Sequence, residues 1–161
     1  MKPTCEVVSV SPVLLALVEE EVLRSQIPQR IRPMFDIAYA WLRDAPVRQA
    51  GHNYAIYDRC TPRSLRVQVG FPVSGEFADT PLVKCVRLAG GRAATAVHVG
   101  SYAELHRTYA ALDAWCAQQA LSPTGQSWEV YGDWNDDPSK VETGIFLRLC
   151  DVAGAPELQL P

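Results

Sequence analysis

The chain has no C-x-x-C pair, no long hydrophobic run, no concentration of one charge, and none of the short motifs that mark common enzyme classes. Each absence removes a class of function. Its longest apolar stretch, around Pro12 to Val18, is far short of the ~20 residues needed to cross a bilayer, so no membrane association is expected. The five cysteines (Cys5, Cys60, Cys85, Cys116, Cys150) are an odd number, and none has a histidine or acid at a motif spacing. With no signal peptide either, they read as reduced thiols of a cytoplasmic protein. Lys and Arg are scattered and the net charge is −3, which leaves no electrostatic footprint for direct nucleic-acid binding. No G-x-S-x-G, phosphate loop or dinucleotide fingerprint occurs, and Gly90-Gly91 reads only as a hairpin turn. His98 and His106 lack acid or thiol neighbours at ligand spacing and read as structural, so neither a metal nor a cofactor is expected. Asn135-Asp136-Asp137 lacks the spaced carboxylates and closing Glu of a calcium loop.

What is present is a long internal spacing. Trp41, Gly51 and Tyr57 recur 74 positions later as Trp115, Gly125 and Tyr131, and Phe35 aligns with Tyr109 in the same way. A period this long in 161 residues predicts two copies of one supersecondary unit, not a solenoid. The first copy is expected over about 5–73 and the second over about 82–150, with a linker at 74–81 and a tail at 151–161, all within one domain. An apolar fraction of 48% and a charged fraction of 20% suit an ordinary globular chain of this size.

Local patterns fill in the units. Residues 5–10 and 13–18 read as a two-strand hairpin about Ser11-Pro12, with Glu19, Glu20 and Glu21 ending the second strand. Ile31, Met34, Phe35, Ala38, Trp41 and Leu42 carry the rhythm of an amphipathic helix from about Pro28 to Asp44. Strands follow at 53–57 and 65–73. The second copy has strands at 82–88 and 93–99 about the turn Ala89 to Arg92. A helix from about Tyr102 to Ala120 comes next, then strands at 127–131 and 142–149. The expected fold is α+β: two β-β-α-β-β repeats about a pseudo-twofold axis, antiparallel sheets, helices on one face, and a central groove.

Function is expected at the seam between the copies. Alternation groups Glu129 with Tyr131, and Glu142, Gly144, Phe146 with Arg148. Taking both sets to lie away from the aliphatic, helix-facing side assembles an amphipathic surface of Glu129, Tyr131, Phe146 and Arg148. At a spacing of 74 to 76, the first copy's matching positions are Ala55, Tyr57, Gln68, Gly70 and Pro72, mostly smaller, which leaves room. Aromatic walls around one carboxylate suit a lipophilic cation. The plainer alternative is that the rings pack the seam and Glu129 pairs with Arg148.

Several stretches resemble a known family. His98-Val99-Gly100-Ser101-Tyr102, the helix with Tyr109 and Leu112 to Trp115, Glu129-Val130-Tyr131, and Thr143 to Leu149 look like the second half of a GyrI-like domain. Ile56-Tyr57-Asp58 and Val69 to Val73 resemble its first half, so the similarity runs from about residue 5 to 150. Such domains are the effector-binding part of AraC- and MerR-type multidrug regulators, and also occur as stand-alone proteins. The resemblance implies two halves about a pseudo-twofold axis with a groove for drugs and amphipathic molecules. It maps Glu129 to a common acidic position, Phe146 to an aromatic wall, and Tyr102 to the Tyr of a His-x-Gly-Pro-Tyr segment. Departures are Gly144 in place of a second acid, Arg148 in place of Pro, and Ser101 in place of Pro.

The resulting expectation is a stand-alone, cytoplasmic bacterial sensor or sequestering protein for an amphipathic or aromatic small molecule. The expected ligand-binding residues are Tyr57, Gln68, Tyr102, Glu129, Tyr131, Gly144, Phe146 and Arg148. The alternatives are a hydrolase of electrophilic molecules such as cyclopropane-containing compounds, with Glu129 as acid or base, or an inhibitory module acting on a topoisomerase. No catalytic residue is expected on the main reading.

Overall fold

The computed structural model describes residues 2–59 and 61–151, so Cys60 and the expected tail beyond Asp151 lie outside the described residues. The chain runs β1 (Glu6–Val10), β2 (Val13–Leu23), α1 (Ile27–Leu42), β3 (Tyr54–Arg59), β4 (Ser64–Pro72), β5 (Lys84–Leu88), β6 (Gly91–Val99), α2 (Leu105–Gln118), β7 (Pro123–Tyr131) and β8 (Glu142–Leu149). Short 3-10 turns lead into both helices, at Arg24–Gln26 and Tyr102–Glu104. The element order is therefore β-β-α-β-β, twice.

All eight strands form one antiparallel sheet in the order β1-β6-β8-β7-β3-β4-β2-β5. That order reads the same from either end when β1–β4 are exchanged with β5–β8, and the centre of symmetry falls between β7 and β3. Within the sheet, this central pair and the exchanged outer strands join the halves.

The exchange corrects two expectations. β1 does not form a hairpin with β2; it pairs with β6 of the other half, Glu6 opposite Thr95 through Val10 opposite Gly91. Nor does β5 pair with β6, because it lies along β2. Both edges of β2 are already taken, by β4 and β5. The short links Ser11-Pro12 and Ala89-Gly90 therefore carry the chain from one half to the other and meet on the way. A Cβ on Gly90 would lie 2.7 Å from the Val10 carbonyl oxygen and 3.0 Å from Pro12 Cδ. Glycine is there for close backbone approach.

The acidic cluster does not end β2 either, which stays paired with β4 as far as Leu23. Each acid finds a partner along the strand. Glu20 accepts two bonds from the Arg30 guanidinium at 2.9 and 2.8 Å, Glu21 accepts from Ser64 Oγ at 2.8 Å, and Glu19 accepts from Gln68 at 3.0 Å. At the other end of the chain, β7 starts at Pro123, four residues before its expected start. An irregularity separates Pro123 from Ser127, and Gly125 takes φ +101° within it. Such a bulge bends the strand and opens its edge.

Both helices lie on one face. Met34 and Ala38 of α1 are fully buried in a cluster with Val67, Val69 and Phe71, while Leu112 and Cys116 of α2 pack in a cluster with Ala94, Ala96 and Ile145. The opposite face carries its own core of Leu15, Leu17, Ile56, Ala93 and Trp128. Among the described residues no helix covers that side, and the sheet buries such residues by curling, which makes it a half-barrel.

Candidate functional site

The two helices sit over the flanks of the sheet, α1 over β2 and β4 and α2 over β6. Neither covers the central strip where β3 meets β7. A cleft of about 1590 Å³ opens above that strip, walled by the facing sides of the helices. Its floor follows from register. Ala55 lies opposite Glu129 and Tyr57 opposite Ser127, so these residues and Tyr131 all point toward the helices.

Glu129 is the chemical centre. It is only 4% exposed, and both oxygens are engaged: the Tyr109 hydroxyl donates to Oε2 and the Tyr131 hydroxyl donates to Oε1, each at 2.7 Å. Burial pushes its carboxyl above the ordinary 4.5, and the three neighbouring tyrosines, 131, 109 and 57, pull it back only in part. Desolvation, with the Glu129 charge second, raises the phenols of Tyr57, Tyr109 and Tyr131, so they remain neutral donors. Rings extend the wall. Tyr102 meets Tyr131 edge-on at 5.6 Å, and Phe35 of α1 meets it edge-on at 6.1 Å. The loop after β7 hangs Trp134, 79% exposed, at the cleft's border.

Of the eight expected ligand-binding residues, four come together here: Tyr57, Tyr102, Glu129 and Tyr131. The other four do not. Glu129 pairs with Ile145 and Trp128 with Phe146, so Phe146 and its same-face neighbours Gly144 and Arg148 lie on the side away from the helices. Phe146 stacks on Trp128 with centroids 5.3 Å apart, and the Arg148 guanidinium sits 5.0 Å above the same indole. Arg148 donates to Gln126 Oε1 and to the carbonyls of Gly90 and Ala89, and it has no contact with Glu129. Gln68, opposite Ile56, is on that far face too. Gly144 does not supply space to the cleft either, because a Cβ there would meet the Phe146 ring at 3.3 Å.

The physical reason is that alternation fixes which residues of one strand share a face, but not which set of the next strand joins them. In β7 the bulky Trp128 and Val130 fill the inside of the curl, and the polar parity faces the helices. Tyr109, read only as part of a core stripe, is the residue missed. Its signal was the spacing partner Phe35: a hydroxyl added at a core position needs an acceptor.

The histidines divide. His98 is buried, with Nε2 2.9 Å from the Ser101 carbonyl, to which it donates, and Nδ1 2.7 Å from Thr108 Oγ1. His106 borders the cleft on α2. Among the described residues, no three His, Cys, Asp or Glu side chains gather to hold a metal ion. Cys5, Cys85, Cys116 and Cys150 are free thiols. Among the described residues, no helix is long and apolar enough to cross a membrane.

A curled sheet with two helices flanking an open, mainly apolar cleft, and one buried acid held by phenols, offers room and chemistry for a small molecule. The chain belongs to the GyrI-like small molecule binding domain family, whose model matches residues 4–149. Its fold is shared with the C-terminal domain of EcmrR, at 17% identity and TM-score 0.80 over 94% of this chain and 100% of that one. SAV2435 bound to tetraphenylphosphonium is similar at 14% identity and TM-score 0.69, over 93% and 96% of the two chains. A hydrolase encoded by lin2189 from Listeria innocua is similar at 16% identity and TM-score 0.62, over 92% and 93%. No curated protein matches the sequence at a significant level.

Proposed function

We propose that the protein binds an amphipathic aromatic small molecule in the cleft over β3 and β7, as a sensor or sequestering protein. The observation that carries this reading is Glu129, a carboxylate buried among tyrosines on the floor of an apolar cleft. Inside a low-dielectric space a fixed negative charge attracts a delocalised cation, and the faces of Tyr102 and Phe35 add to that attraction. That a protein of similar fold was solved with tetraphenylphosphonium supports a ligand of this type.

Calorimetric titration with a lipophilic aromatic cation tests the reading. Micromolar affinity is expected, and Glu129→Gln weakens it about tenfold, or ~1.4 kcal/mol. Unchanged affinity in the variant removes Glu129 from the site. Mass spectrometry of the same mixtures separates binding from turnover. A product that disappears with Glu129→Gln would move the reading to hydrolysis, for which a carboxyl of raised proton affinity is a suited acid.

A further inference from the structure

The cleft has a basic end. Arg24 from the turn before α1, Arg32 from α1 and Arg59 from the end of β3 all border it. Register brings the backbones of Arg24 and Arg59 together. Leu23 lies opposite Ser64 and Arg59 opposite Leu65, so Arg24 and Arg59 flank the same end of β4, where the Arg24 amide donates to the Arg63 carbonyl at 3.0 Å. Arg59 is two residues past Tyr57, hence on the same face and about 7 Å further along the strand.

None of the three holds a salt bridge among the described residues. Two nearby arginines do: Arg30 with Glu20 at 2.8 Å and Arg66 with Asp58 at 3.0 Å, both outside the cleft. The facing wall, α2, contributes His106 and Asp113, and burial pushes the Asp113 carboxyl up. The first turn of α1, which borders the same end through Ile27 and Pro28, carries no acidic side chain. Three exposed arginines thus border one mainly apolar cleft that two carboxylates line, Asp113 on α2 and Glu129, the latter already engaged by two hydroxyls.

Resting on the reading of the cleft as a ligand site, we infer that its ligand carries an anionic group, a carboxylate or sulfonate, which the Arg24 and Arg59 end receives. The aromatic body lies over Tyr57 and Tyr131 with its cationic part toward Glu129, so the ligand class is an aromatic zwitterion, not a simple cation. Guanidinium is suited to this role because its planar fork matches two carboxylate oxygens.

Rhodamine B and its ethyl ester form the test pair, since they share one cationic ring system and differ only in whether the carboxylate is free. Fluorescence anisotropy with the full chain should show the free acid binding about tenfold tighter than the ester. That advantage should collapse in the Arg24→Ala/Arg59→Ala double variant and persist in Glu129→Gln, which weakens both dyes together. Both arginines are exposed, and a thermal melt confirms that the double variant is folded. Equal affinity for acid and ester, or a preference that survives the double variant, overturns the anion subsite while leaving the cleft as a receptor. Failure of both dyes to bind overturns the receptor reading and this inference with it.

Discussion

The two halves of the molecule share a plan but divide the work of the cleft. At the 74-residue spacing, Glu129 corresponds to Ala55, and the two lie directly opposite each other across the central strand pair. Tyr109 on α2 corresponds to Phe35 on α1, and both face the same ring of Tyr131 or its acid. At these positions the second half supplies the charge and the two hydroxyls that donate to it at 2.7 Å, where the first half has Ala55, Tyr57 and Phe35. The ends differ as well, since Arg32 corresponds to His106 and Arg59 to Asp133. The strand order is symmetric, and the lining of the cleft is not.

The sharpest way to break this comparison is to make the halves alike. Ala55→Glu places a second carboxylate opposite Glu129 at a position that is fully buried. It should cost about 3 kcal/mol or more of stability, read as a shift of the urea midpoint, because the added carboxylate has no partner and repels Glu129. A loss under about 1 kcal/mol would show that water reaches the cleft floor and that burial is not what distinguishes Glu129.

A smaller effect is expected from Tyr109→Phe, which copies the α1 residue into α2. Removing one hydroxyl from a buried carboxylate should cost about 1–2 kcal/mol and push the Glu129 carboxyl further up. The sign is definite. Between the ordinary glutamate value of 4.5 and the raised one, the folded protein holds a proton that the unfolded chain has released. This group therefore adds stability as pH falls through that window and loses it as pH rises. Binding of a cation runs the other way, weakening as Glu129 takes up its proton. In Tyr109→Phe the pH of half-maximal affinity should move upward, measured by titrations across the window; no movement would remove Tyr109 from the control of that carboxyl.

The mildest change compares the two faces of β8. Arg148→Ala loses the contact over Trp128 and three hydrogen bonds, so stability should fall by about 1 kcal/mol. Ligand affinity should stay within about twofold, because Arg148 lies on the far side of the sheet. A larger change in affinity would contradict the assignment of the cleft to the helix face.

Much of this was legible in the chain itself. The apolar rhythm of Ile31, Met34, Phe35 and Ala38 marked α1 to within two residues at either end. The shared parity of Glu129 and Tyr131 within β7 held as well. Three things were not legible. β2 runs through its acids because each finds a partner from a distant element, which no local pattern reports. β1 and β5 change places because the edges of β2 are filled by strands far along the chain. Phe146 and Arg148 were set beside Glu129 because a strand's alternation carries no information about its neighbour's register.

The amino-acid sequence by itself determined the kind and order of the elements, the twofold plan, and which side chains within each strand travel together. These follow from local geometry and spacing, which the chain carries wherever it folds. Only the tertiary structure decided which edge each strand joins, which face of β7 meets which face of β8, and so which tyrosines surround Glu129. Those choices depend on burying Trp128 and Phe146 inside the curl, and that is a property of the assembled sheet.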